Sequence, residues 1–263
     1  MFYYNAQVFK FIITGAGQGI GKEITNNLCK EFPQSKFILV SKSENVHSTR
    51  LENEKGCDGI KIRSEQCDLN NIEDLEILLS KIKPDEANVI INCAGILGVS
   101  GYSNEIDHKF YKDTFQVNCI SPILLINHFL KNMQKKNFGR IINFAGGGAA
   151  YGYPKFLPYA LSKVSIVRAT ETLADEQLQQ GYDNILFNCI APGAIDTQML
   201  RSVEDAGGII KSKGCITEPV KLTSFLVRNN NKEINGRFIH SRDNYNDPGL
   251  FNGEDNLKLR RKE

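Results

Sequence analysis

The stretch VFKFIITGAGQGIGKEITNNLCKEF, Val8 to Phe32, changes its period part-way along. Its first seven residues form an apolar, β-branched run of the kind a strand buried on both faces requires. Glycines follow at positions 15, 17, 19 and 21, and a helical pattern then runs from Lys22 to Phe32. Strand, tight glycine turn and helix make the first half of a strand–helix–strand unit.

The rest of the chain repeats the unit. Further strand-like runs begin at Lys36 (KFILV), Ile60 (IKIRSEQC), Asn88 (NVIINC), Gly139 (GRIINF), Asn184 (NILFNCI) and Gly236 (GRFIHS). Helical patterns lie between them at Ile72–Ile82, Phe110–Lys135, Tyr159–Gln180 and Glu218–Arg228, while Met199–Gly214 reads as a loop rich in glycine and charge. Alternation of this kind implies right-handed crossovers and a parallel sheet covered by helices on both faces. The expectation is a Rossmann-like, doubly wound α/β fold of about seven strands. No repeat, linker or composition break divides residues 1–263, so one domain is expected.

Composition excludes several classes. Hydrophobic residues make up 41% and charged residues 24% of the 263, as in ordinary globular proteins. A net charge of +2 gives no reason to expect a nucleic-acid partner or an anionic membrane. Seven cysteines without a Cys-x-x-Cys pair, and four scattered histidines, argue against a disulfide framework and against a metal site. The first residues lack a basic segment and a cleavage site, and no apolar run is long enough to span a bilayer. A soluble, cytoplasmic protein is expected, with LKLRRKE at the end read as a solvated tail.

The glycine turn does not fit Gly-x-Gly-x-x-Gly, because position 20 is Ile. Its physics is similar. Glycine lets the backbone approach a pyrophosphate, and the helix start offers free N–H groups and the positive end of its dipole. Gly15, Gly17, Gln18, Gly19, Ile20 and Gly21 are therefore candidate dinucleotide-binding residues. After the second strand, where an acid would bind an NAD ribose, the chain reads Val40-Ser41-Lys42-Ser43. Ser41 and Lys42 suit a 2′-phosphate, which favours NADP(H) over NAD(H). Asp68, after the third strand, either touches the adenine or caps the next helix.

Tyr159 and Lys163, four apart, share one helix face. A nearby ammonium favours a phenolate, so the pair suits proton transfer to a carbonyl/alcohol couple. With Thr14–Gly21, Asn92-Cys93-Ala94-Gly95, Asn118, and Pro192-Gly193 in this order, the whole chain resembles the single-domain short-chain dehydrogenase/reductase family. The resemblance implies that Tyr159 donates or accepts the proton and that Lys163 binds the nicotinamide ribose and lowers the tyrosine pKa. It implies that Asn118 holds a water linking Lys163 to solvent, that Asn92, Ala94 and Gly95 line the ribose side, and that Asp68 meets the adenine. Thr197, five residues after Pro192, matches the residue that binds the carboxamide. A homodimer or homotetramer assembled through the helices near 110–135 and 159–180 is implied as well.

One position departs from the family. Its members carry a Ser thirteen residues before the Tyr, and here that position is Gly146, beside Ala145. Either the backbone N–H groups of Gly146, Gly147 and Gly148 take over the hydrogen bond to the substrate oxygen, or the chain is a silent cofactor-binding subunit. The triple glycine, the helix from Tyr159 and the tail near Asn256 are also similar to a bacterial branch linked to polysaccharide and nucleotide-sugar biosynthesis. That likeness implies a small carbonyl or alcohol substrate of the sugar class.

Overall fold

The computed structural model describes residues 8–57, 59–210, 212–253 and 256–259. All seven expected strands form: β1 (Lys10–Thr14), β2 (Lys36–Ser41), β3 (Lys61–Gln66), β4 (Val89–Asn92), β5 (Gly139–Phe144), β6 (Ile185–Ala191) and β9 (Arg237–His240). They make one parallel sheet in the order β3-β2-β1-β4-β5-β6-β9. Two-residue strands β7 (Ala194–Ile195) and β8 (Lys213–Gly214) pair separately. Successive β1 residues serve opposite faces. Phe11 and Ile13 pack into one buried cluster with Leu28, Leu39 and Leu226, while Ile12 joins Leu75, Phe129 and Phe187 in another. A strand with apolar residues on both sides is stable only between two helical layers.

Helices α1 (Gly19–Glu31), α3 (Ile72–Lys81), α6 (Leu157–Gln179) and α8 (Thr217–Arg228) fall where the pattern places them. Two others were not legible. In α2 (Asn45–Gly56), NVHSTRLENEKG has too few apolar side chains to show a stripe. In the stretch read as a loop, α7 (Gln198–Asp205) forms, because Thr197 accepts from Leu200 N at 3.4 Å and caps it.

The pattern over 110–135 is interrupted. It divides into α4 (His108–Phe115), a π turn (Gln116–Ile120) and α5 (Ser121–Lys136). Pro122 has no N–H to give the Asn118 carbonyl, and Ser121 N reaches back five residues to Gln116 O.

The tail begins docked instead of solvated. Phe238 N donates to Leu257 O at 2.7 Å, and Leu259 N donates to Glu171 Oε1 at 2.6 Å. Residues 260–263, the rest of the basic tail, lie outside the described residues. Among the described residues no helix is long and apolar enough to cross a membrane.

Candidate active site

β1 pairs with β2 on one side and β4 on the other, so the strand order reverses at its carboxyl end. Ligands of open α/β sheets enter at that point. Register sets Thr14 level with Val40 and Asn92, and Asn92 level with Asn143.

The turn after β1 is built for close approach. Gly15 has φ +72°, and a Cβ there would stand 2.8 Å from Ala94 N. At Gly21 a Cβ would meet Gly15 O at 2.3 Å. Only glycine fits either place. Gly17 faces Ser41, whose Oγ would be 2.9 Å from its Cβ, and Gly19 faces the methyl of Thr197. Gln18 precedes α1 in extended conformation without capping it, and Ile20 packs on the core below. Among the described residues the N–H groups of Gly19, Ile20 and Gly21 find no protein acceptor.

Beyond the turn, Lys42 Nζ lies 2.8 Å from Asp68 Oδ2. Hydrogen bonding to Asp68 raises the Lys42 pKa. Burial works upward on the Asp68 carboxyl, yet the Lys42 hydrogen bond and the Asn70 N–H bring it below its ordinary value. Asp68 does not cap the next helix; Asn71 does, accepting from Glu73 N at 2.9 Å. Two residues read separately in the sequence form one ion pair.

Asn92 Nδ2 donates to Asn143 Oδ1 at 2.9 Å, and Asn143 Nδ2 donates to Thr170 Oγ1 at 2.9 Å. This chain fixes the amide while leaving the buried Asn92 Oδ1 without a partner. Ala94 N donates to Thr14 Oγ1 at 3.2 Å. Sequence reading gave no role of their own to Asn143, Thr14 and Ser162, whose work is to hold other site residues. Asn143 and Thr14 are polar residues at the ends of apolar strands, and that was the available signal.

Asn118 sits on the π turn with its amide engaged. Its Oδ1 accepts from Ile96 N at 2.8 Å, and its Nδ2 donates to Ile96 O at 2.8 Å and Ser162 Oγ at 2.9 Å. Lys163 Nζ donates to Phe144 O at 2.8 Å. Both Asn118 Oδ1 and Lys163 Nζ lie 3.2 Å from the point a Cβ of Gly95 would occupy.

Lys163 is buried, and desolvation pulls its pKa down to about 8. Half-buried Cys93 and buried Cys189 stand close enough to act on it, but desolvation pushes both thiols to about 12 and keeps them neutral at pH 7. Tyr159 corrects an expectation. Burial, and secondarily Tyr153, push its pKa up instead of down. Lys163 Nζ lies 5.7 Å from the Tyr159 ring centre and donates a hydrogen bond to Phe144 O.

Gly146 stands against Tyr159. A Cβ there would fall 2.4 Å from the Tyr159 hydroxyl oxygen. The phenol thus occupies room that a serine side chain would need. Gly147 opens a single 3₁₀ turn, Gly148 packs on Ala160, and no N–H of Gly146, Gly147 or Gly148 has a protein acceptor among the described residues. Pro192 and Gly193 follow β6 beside His240, with Ser241 Oγ donating to Pro192 O at 2.9 Å. Thr197 Oγ1 is engaged locally, donating to Ile195 O at 3.2 Å while capping α7.

The family model for short chain dehydrogenases matches residues 10–207, and the chain belongs to that family. By that membership it is an NAD(P)-dependent oxidoreductase. It is 29% identical over 244 residues to the 3-oxoacyl-(acyl-carrier-protein) reductase of Haemophilus influenzae, a match covering 87% of this chain and 94% of that one. It is 26% identical over 198 residues to a benzil reductase of Bacillus cereus, covering 74% and 78%. In fold it is similar to an NADPH-dependent reductase of bacilysin biosynthesis, with a TM-score of 0.79 at 21% identity over 89% of this chain and 96% of the other.

Proposed function

We propose that this enzyme prefers NADP(H) and interconverts a secondary alcohol and a ketone, with Tyr159 as the acid/base. One observation carries the reading. Across the carboxyl ends of the neighbouring strands β1, β4 and β5 a line of polar groups lacks protein partners among the described residues: the N–H groups at the start of α1, Asn92 Oδ1, and the N–H groups of the glycines beside Tyr159. Buried polar groups are seldom left unpaired unless a ligand or water completes them. The line fits a dinucleotide, with the pyrophosphate at Gly15–Gly21 and the ribose at Asn92, Ala94, Gly95 and Lys163. Pro192, Gly193 and Thr197 fit the nicotinamide end.

When bound, the nicotinamide supplies or accepts the hydride. In the reducing direction Tyr159 gives its hydroxyl proton to the carbonyl oxygen as the carbon gains hydride. The charge of Lys163 then favours the phenolate left behind. Asn118 Oδ1 and Lys163 Nζ converge on the side of Gly95 that carries no side chain. A water there would return the proton from solvent by way of Lys163. The N–H groups of Gly146–Gly148 take the part of the absent serine hydroxyl.

Lys42 supports the NADP preference, since no acid ends β2. Asp68 tempers it by sharing the lysine. Titration with NADPH and NADH, followed by their own fluorescence, tests the proposal. NADPH is expected to bind more tightly, and Lys42→Ala should lower its affinity about tenfold, toward that of NADH. Binding of neither cofactor would overturn the reading.

Tyr159 also supports a second reading, that of a silent cofactor-binding subunit. Its hydroxyl has no protein hydrogen bond among the described residues, and its pKa is pushed up. Such a subunit would bind NADPH and turn over no carbonyl compound. Exposed Phe110, Ile120, Leu157 and Leu161, on α4, the π turn and α6, support assembly as a homodimer or homotetramer. For the substrate, the sequence resemblance implies a sugar, whereas the side chains around Tyr159 favour another class.

A further inference from the structure

Three separate segments bring apolar side chains to Tyr159. Leu97 comes from the loop after β4, Phe156 from the turn before α6, and Val203 from α7; all are buried with the tyrosine in one cluster. Tyr153, Met199 and Ile210 pack against that group from the half-exposed side. Tyr153 stacks on Phe156 at 4.9 Å and 29°, and its ring centre lies 6.3 Å from that of Tyr159. A flat aromatic wall therefore stands beside the proton donor.

The wall is fixed. Thr197 caps α7 at one end. At the other, Gly208 N donates to Val203 O at 2.8 Å, and a Cβ on Gly208 would lie 3.4 Å from Phe156. Pairing of β7 with β8 ties the returning chain to the end of β6.

We infer that the carbonyl compound this site takes is apolar beside its carbonyl, with an aromatic or alicyclic group seated against Tyr153, Met199 and Ile210, the half-exposed side of the cluster, and is not a polyhydroxylated sugar. The inference rests on the oxidoreductase reading only for the identity of the reacting oxygen. A sugar needs a partner for each hydroxyl it brings out of water, because an unmet hydroxyl in an enclosed site is costly. In this cluster the hydroxyls are those of Tyr159 and Tyr153, and Gly146–Gly148 add no side chain. An apolar group gains from the same surface, by about 10–200-fold per methylene in a shaped pocket.

The experiment compares 1-phenyl-1,2-propanedione and cyclohexanone with D-fructose and 5-keto-D-gluconate. Wild-type kcat/KM is measured with NADPH, and binding of each compound is measured by calorimetry to NADPH-loaded Tyr159→Phe protein, which needs no turnover. The apolar ketones are expected to exceed the sugars by about 100-fold in kcat/KM and to bind alone. Met199→Ser, on the half-exposed side of the wall, should raise KM for the apolar ketones about tenfold at nearly constant kcat and leave the sugars unmoved. Apolar binding without turnover would uphold this inference while sinking the oxidoreductase reading. Sugars bound as tightly as the ketones, or no compound bound by a protein that holds NADPH, would overturn it.

Discussion

Two buried cations bond to β5, Arg140 on the strand itself at one end and Lys163 from α6 at the other. Arg140, at the start, donates to five acceptors: the carbonyls of Gly139, Asn184 and Asn229 and the side chains of Asn184 and Asn230, at 2.7–3.2 Å. Lys163, under the far end, donates to Phe144 O alone among the described residues. Burial pulls the first down to about 10, still charged at neutral pH, and the second to about 8, close to the pH at which it would lose its proton. Desolvating a charge is costly unless hydrogen bonds replace its water. The difference teaches that the protein itself satisfies the cation at one end of the sheet and leaves the cation at the other end with unused donors.

The largest expected effect lies at the Lys163 end. Tyr159→Phe should reduce kcat by about 10²–10⁴-fold while NADPH affinity stays within about twofold. Steady-state kinetics beside fluorescence titration checks it, and equal turnover would remove Tyr159 as the acid/base.

At the Arg140 end the loss is of stability. Arg140→Met strands several buried acceptors and should cost about 3 kcal/mol or more in urea unfolding, with turnover per folded molecule unchanged. If Arg140→Met altered kcat, the division of labour would fail.

Lys163→Met sharpens the contrast through pH. The lysine titrates near 8 when folded and near 10.5 when unfolded. Between those values the unfolded chain binds more protons, so this group makes wild-type stability rise with pH. Its cost is fully present below about 8 and gone above about 10.5. The stability of Lys163→Met relative to wild type should therefore fall by on the order of 3 kcal/mol across that window, read from denaturation at stepped pH. A flat difference would mean that Lys163 is solvated.

Gly146→Ala should be the mildest of the four. Its Cβ would displace the Tyr159 hydroxyl, which a site relying on position punishes by up to about 10²-fold in kcat. Gly146→Ser carries the same Cβ and adds a donor. A gain in rate from the serine would show that Tyr159 gives way easily and that a hydroxyl is what the site lacks.

The apolar runs made the inner strands of the main sheet legible, because burial on both faces leaves a continuous signature, whereas edge strand β3, KIRSEQ, buries only Ile62. Spacing found Tyr159 and Lys163 for the same reason that it finds any helix face. The pairing of Lys42 with Asp68 was not legible, since adjacent strands bring together residues far apart in the chain. Nor was the crowding of Gly146 by Tyr159: a count of thirteen residues fixes position in the chain, not the volume left over. The upward direction of the Tyr159 pKa was not legible, because it comes first from burial of the phenol and then from Tyr153, and spacing along the chain shows neither. Helix α7 escaped because one hydroxyl cap, not a long apolar stripe, starts it.

The π turn at Gln116–Ile120 has one more consequence. One extra residue in a turn acts as a phase shift of about 100° between the helical segments on either side. It lets α4 address α6 while α5 addresses α3 and β5, as two gears on a shaft can be keyed at different angles. Removing a residue there would rotate α4 against α5 by the same angle and put the two faces out of mesh, with Asn118 as the tooth lost.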